Sequence, residues 1–295
     1  MKPCFQLAEI QTKDGLQHQG VYFQPKSSSK RAILLAHGLT STFYGQTPLL
    51  KAFALRCEKM GYGLVCFNNR GHDLVASIKK IDKREAKGYR RILQGAAFEN
   101  FADCVWDIEA GISFLVSQGF SEIILLGAST GANKVCYYAG SRKNARVIAV
   151  GLLSPVSDRL MFQAQDPNWK TKLVKMEQLI VSGKGNQVQF VEDGVPMTPL
   201  RFVSAYKANT LEDQFDYGDA KPKLTHFRKI KKPLLVLLGD ADEYADRPTT
   251  QILAVFDTLT QSKKYTSLLL PNVTHSYRDS EELVAEKIMS WCKKV

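Results

Sequence analysis

Six short, largely apolar runs punctuate this chain: Ala32–Ala36, Gly63–Phe67, Ile123–Leu126, Arg146–Leu153, Pro233–Gly239 and Thr266–Leu270. They do not alternate with polar residues, so each predicts a strand buried on both faces, as in a parallel sheet. Between them the apolar positions recur at helical spacing. Leu49, Leu50, Phe53, Ala54 and Cys57 share one face of a predicted helix over 46–60, which Gly61 ends. Phe101, Val105, Ile108, Ile112 and Leu115 do the same over 98–118, which Gly119 ends; Asp103, Asp107 and Glu109 are read as mostly its solvated face. Further helices are expected over 131–141, 246–260 and 281–293. Residues 4–24 read as two strands around the turn Lys13-Asp14-Gly15, an antiparallel hairpin suited to a sheet edge. Strand alternating with helix predicts an α/β class with a doubly wound, mostly parallel sheet.

One stretch departs from this rhythm. Residues 155–232 hold helix-like segments near 158–164, 169–182 and 198–208 and a loop-rich connection over 209–229, without a strong buried-strand pattern. The stretch is too long for a connection and too polar for a core of its own. It predicts a largely helical lid inserted in a core made of 1–154 and 233–295. Leu160, Met161, Phe162, Trp169, Met176, Phe190, Met197, Phe202 and Tyr206 are its large apolar residues. Two or three of them are expected to touch a substrate, and the rest to bind the lid to the core.

The run at 123–126 ends in Gly127-Ala128-Ser129-Thr130-Gly131, and a helix pattern follows at once. Gly-x-Ser-x-Gly between a buried strand and a helix is the context of a nucleophile elbow. The serine of such a turn takes a strained φ/ψ, and glycines on either side avoid a Cβ clash. The helix start aims N–H groups and a positive dipole end at the place where an oxyanion forms. A serine nucleophile needs a base and a carboxylate to orient it, in the chain order Ser, Asp/Glu, His for this elbow. His18, His37 and His72 precede Ser129, and His226 precedes the strand at 234–238, after which the acid is expected. His275, in the loop Leu270-Pro271-Asn272-Val273-Thr274-His275, is left as the base. For the acid, Asp242 is favoured because its loop has left the sheet. Asp240, Glu243 and Asp246 remain alternatives, and Asp240 is equally suited to capping a turn.

With these residues the chain resembles the α/β-hydrolase superfamily. His37-Gly38-Leu39-Thr40 is similar to its His-Gly oxyanion loop, Asn69-Arg70-Gly71-His72-Asp73 to its Arg-Gly-His-Gly turn, and Gly239-Asp240-Ala241-Asp242-Glu243 to its Gly-x-x-Asp acid loop. Within the superfamily the chain is most similar to single-domain cytosolic esterases with a lid, including the branch related to fungal siderophore esterases. The resemblance implies an α/β-hydrolase fold and an oxyanion hole built from the N–H groups of Leu39 and Thr130. It also implies that His37 orders its loop. The expected activity is cleavage of a carboxylic ester through an acyl-enzyme on Ser129, with no metal or organic cofactor. An acyltransferase or thioesterase using the same triad, and a non-catalytic binding protein on this fold, are the alternatives.

Composition narrows the setting. Hydrophobic residues make up 44% of the 295, ample for a packed core. No stretch approaches the roughly 18 uninterrupted apolar residues of a membrane span. The first residues carry no apolar signal core, and six scattered cysteines without a Cys-x-x-Cys pair suggest reduced thiols. A cytoplasmic protein is expected. The net charge of +11 is concentrated in Lys79–Arg91, where seven basic and two acidic residues give +5. No basic motif with interleaved aromatics supports nucleic-acid binding. The basic segment is read as a solvated loop, or else as a basic rim at the active-site mouth that favours anionic small-molecule esters. The oligomeric state is not legible.

Overall fold

The chain opens with an antiparallel pair, β1 (Gln6–Gln11) and β2 (Gln17–Phe23), whose register sets Gln6 opposite Tyr22 and Gln11 opposite Gln17. There follow β3 (Arg31–Ala36), α1 (Thr47–Met60) and β4 (Gly63–Phe67). A second antiparallel pair, β5 (Ala76–Ile81) and β6 (Tyr89–Gln94), precedes α2 (Cys104–Ser117), β7 (Glu122–Ala128), α3 (Thr130–Ser141) and β8 (Val147–Leu153). Three helices come next, α4 (Asp158–Gln165), α5 (Trp169–Val181) and α6 (Pro199–Tyr206). The chain then closes with β9 (Leu234–Gly239), α7 (Thr249–Leu259), β10 (Tyr265–Leu270) and α8 (Glu281–Cys292). This computed structural model describes residues 3–27, 29–189 and 196–295.

Eight strands form one sheet in the order β1-β2-β4-β3-β7-β8-β9-β10, and all neighbours from β4 to β10 are parallel. Helices cover both faces, which explains the unalternated apolar runs. Along β3, β7 and β9, Ile33, Leu35, Ile124, Leu126, Leu235 and Leu237 pack with α1 and α8. Their sequence neighbours Leu34, Leu125, Val236 and Leu238 pack with α2, α3 and α7. The sheet is doubly wound. The connections leave β3 toward β4 on one side, while β7 pairs with β3 on the other. Such a switch opens a crevice at the carboxyl ends of β3 and β7.

Residues 155–232 lie between β8 and β9. Ser157 caps α4 by accepting from Leu160 N, and Thr198 caps α6 by accepting from Arg201 N. The helices share an apolar cluster of Phe162, Met176, Met197, Phe202, Ala205 and Tyr206. The rings of Phe202 and Tyr206 stack at 3.9 Å. Arg201, only 1% exposed, pairs with Glu212 and donates through Nε to Ala96 O at 3.0 Å. That bond, with Thr198 N to Ala97 O at 2.9 Å, fastens α6 to the core. Among the described residues no helix is long and apolar enough to cross a membrane.

Two expectations are corrected. The basic segment is not simply a loop: Lys79–Ile81 and Tyr89–Arg91 belong to the hairpin β5–β6, with Lys79 opposite Arg91 and Lys80 opposite Arg90. Only the tip over 82–88 is a turn. The charged residues masked a hairpin whose anchor is Ile78, buried with Leu16 and Ala76. Asp107 is not on a solvated face either. It is 8% exposed and accepts from Arg70 Nη2 at 2.8 Å and Arg70 N at 2.9 Å. A buried guanidinium needs a buried carboxylate, and helical spacing cannot reveal such a partner.

Candidate active site

Ser129 stands between β7 and α3 at φ 57° and ψ −131°, a strained conformation for a residue with a Cβ. The turn closes because its flanking glycines have no side chains. A Cβ on Gly127 would collide with the Gly131 carbonyl, and one on Gly131 with the Ala36 carbonyl at the end of β3. The nucleophile turn and the β3 loop are therefore packed backbone to backbone.

Three loops bring the candidate triad together. Ser129 Oγ lies 2.8 Å from His275 Nε2, and His275 Nδ1 lies 2.9 Å from both Asp242 oxygens. An Nδ1–H donating to Asp242 leaves Nε2 free to accept the serine proton. Asp242 and His275 are each 7% exposed, so the interaction works largely out of water. The other acidic candidates are engaged elsewhere. Asp240 accepts from Asn272 N at 2.6 Å, Glu243 from His275 N at 2.9 Å, and Asp246 pairs with Arg247 at 2.7 Å. Asp240 and Glu243 thus hold the histidine loop to the acid loop. Ser154 holds it from the far side, with its Oγ 3.2 Å from His275 O and 2.9 Å from the Tyr277 hydroxyl. The Tyr244 ring stands edge-on to the imidazole at 4.8 Å.

The β3 loop approaches from the other side. A Cβ on Gly38 would sit 2.8 Å from Ser129 Cβ, so only glycine permits this approach. Leu39 and Thr130 line the same pocket as Ser129. His37 lies fully buried beneath the loop. Its Nδ1 donates to Gly38 O at 2.9 Å and its Nε2 accepts from Asn69 N at 3.2 Å. Burial pushes its pKa down to about 3, so the ring stays neutral and serves as a brace. Thr40 N donates to Gly71 O at 3.3 Å, joining the two glycine turns. Lys134, one turn into α3, pairs with Glu99 at 2.5 Å and donates to Asn69 Oδ1 at 3.1 Å.

The pocket over Ser129 has a volume of about 440 Å³. From residues 155–232, Met161, Phe162 and Met197 line it. Leu160 packs on the main core, while Trp169, Met176, Phe202 and Tyr206 pack among the inserted helices. Phe190 lies outside the described residues. No residue of 79–91 lines this pocket. The hairpin instead bonds to the β1–β2 turn through Ile81 N to Gly15 O at 2.8 Å, which directs it to that edge. Among the described residues the charged side chains in the lining are Asp158 and Glu281. Sequence patterning did not single out either one. Asp158 falls immediately after a strand end and its Ser157 cap, at the sheet edge where ligands bind, and that position is its one signal. Its Oδ1 accepts from Thr130 Oγ1 at 3.1 Å and its Oδ2 from Asn133 Nδ2 at 2.8 Å.

Comparison with known proteins agrees with this architecture. The structure is similar to the siderophore hydrolase EstB from Aspergillus fumigatus, with a TM-score of 0.70 and 13% identity over 98% of each chain. It is similar to the α/β hydrolase GrgF from Penicillium sp. sh18, with a TM-score of 0.68 and 13% identity over 99% of this chain and 98% of that one. Est1E from Butyrivibrio proteoclasticus, with ferulic acid bound, gives a TM-score of 0.65 and 17% identity over 97% of this chain and 98% of that one. The fold is thus that of the α/β hydrolases. Residues 101–295, which carry Ser129, Asp242 and His275, match a family model, and the chain belongs to that family, described as a protein of unknown function (DUF1749).

Proposed function

We propose that this chain is a serine hydrolase that cleaves a carboxylic ester of a small molecule. The observation that carries the reading is the unbroken chain from Ser129 Oγ through His275 to Asp242, with contacts of 2.8 and 2.9 Å beside a pocket. Ser129 Oγ attacks the ester carbonyl while His275 Nε2 takes its proton. Asp242 fixes the Nδ1–H tautomer and stabilises the imidazolium. The N–H groups of Leu39 and Thr130 receive the oxyanion. His275 then protonates the departing alcohol, which leaves an acyl group on Ser129. Water, deprotonated by His275, attacks that acyl-enzyme and frees the acid. Residues 155–232 act as a lid over this core, presenting Met161, Phe162 and Met197 to the substrate. The structurally similar esterases and hydrolases support the same class.

The test is labelling by a fluorophosphonate, followed by turnover of a panel of esters varied in chain length and charge. Labelling confined to Ser129, with hydrolysis lost on its removal, is the expected result. Absence of labelling in folded protein would overturn the reading in favour of a binding protein on this fold.

A further inference from the structure

The chain carries a net charge of +11, yet among the described residues the lining of the pocket over Ser129 contains two carboxylates and neither lysine nor arginine. One of the two, Asp158, is 3% exposed and reaches the pocket beside Thr130. Its two bonds, from Thr130 Oγ1 and Asn133 Nδ2, come from neutral donors. Arg201 of α6, the arginine that acts on Asp158, is already paired with Glu212. A buried carboxylate with only neutral partners is poorly compensated as an anion. A cation brought in by a ligand would supply what the protein does not.

Resting on the ester-hydrolase reading, we infer that Asp158 is a specificity-determining residue that selects esters bearing a cationic amine group over neutral and anionic ones. The apolar part of such a substrate meets Leu39, Leu49, Met161, Phe162 and Met197, and Glu281 adds a second negative group to the lining. The selection depends on pH. Burial, and after it the negative Glu212, push the Asp158 carboxyl up to about 7, against the lowering effects of Arg201, the Thr130 hydrogen bond and His275. The acid is mostly neutral below that value and mostly ionised above it. Preference for a cation therefore strengthens as pH rises through neutrality.

The experiment compares two phenyl esters of equal shape. One is the ester of a trimethylammonio-butyric acid, and the other has carbon in place of the nitrogen. The quaternary charge does not titrate, and both esters use the same Ser129 and His275 chemistry. The ratio of their kcat/KM values, cationic over neutral, therefore reports Asp158. A close charge pair shielded from water is worth about ten- to a hundredfold. The ratio is expected to rise by about that factor between about pH 5.5 and 8.5, and to stay flat and low in Asp158→Asn. A residue that merely pins α4 to α3 would lower both esters together and leave the ratio unchanged. A flat ratio in the wild type overturns the proposal whether or not the variant folds. So does a rise that survives in Asp158→Asn. If neither ester turns over, the hydrolase reading fails separately. Calorimetric binding of the matching phenyl amides then gives the same ratio and decides the role of Asp158.

Discussion

His275 Nε2 lies 2.8 Å from Ser129 Oγ although 146 positions separate the two residues in the chain. Ser129→Ala removes only the oxygen at that contact. Turnover should fall on the order of a million-fold while the melting temperature stays within a few degrees. Ester hydrolysis and fluorophosphonate labelling, both measured on the purified variant, check this.

The two aspartates after β9 should behave differently. Asp242 faces His275 Nδ1 with both oxygens, whereas Asp240 accepts from the backbone of Asn272. Asp242→Asn should cost about ten-thousandfold in turnover, because an amide cannot enforce the needed tautomer. Asp240→Asn should cost less than tenfold, through a looser histidine loop. Steady-state kinetics on the pair settles the assignment, and a reversed order would make Asp240 the acid.

Removing the basic hairpin's charge should leave the chemistry alone. Replacing Lys79, Lys80, Arg90 and Arg91 together by alanine should change kcat for a neutral ester by less than about twofold, since none of them lines the pocket. Any loss of kcat/KM for an anionic ester should appear only at low salt, because the screening length is about 8 Å at physiological ionic strength. A salt series on both esters reads this directly.

Arg201 and Glu212 should matter to stability more than to chemistry. Breaking a buried ion pair on one side leaves the other charge uncompensated, at about 3–5 kcal/mol. Arg201→Met is expected to lose that amount in urea unfolding. Arg201→Met combined with Glu212→Leu should recover much of it, and the double-mutant cycle measures the coupling.

Acid should destabilise the fold through its buried histidines. The folded pKa of His37 is depressed by burial to about 3, and those of His72 and His226 are lowered for the same reason. Below the unfolded value near 6.5 the unfolded chain binds protons that the native state refuses. For His37 stability is then lost as pH falls from about 6.5 toward 3, by up to about 1.4 kcal/mol per pH unit, and the half-buried His72 and His226 act in the same direction. Urea midpoints from neutrality down to about pH 4 should fall accordingly, and His37→Gln should flatten the slope by up to one proton.

The strands and helices of the core were legible because their cause is local. A strand covered on both faces must be apolar at every position, and β3, β4, β7, β8 and β9 show that directly in the sequence. The nucleophile turn was legible for a related reason. Gly127 answers a steric demand within five residues, from the Gly131 carbonyl. Chain order then narrowed the base to His275 and left four acids for one role. Tertiary structure decided what depends on distance across the chain. It brought Asp242 rather than Asp240 to the imidazole. It buried Asp107 against Arg70, and it turned a run of like charges into a hairpin anchored by Ile78. It also placed Asp158 in the pocket wall. The three aspartate placements rest on partners that lie tens of residues away, and the hairpin on the burial of Ile78 against Leu16. Hydrophobic periodicity carries no record of such pairings, because an ion pair or a hydrogen bond depends on where two side chains meet, and only the packed sheet fixes that.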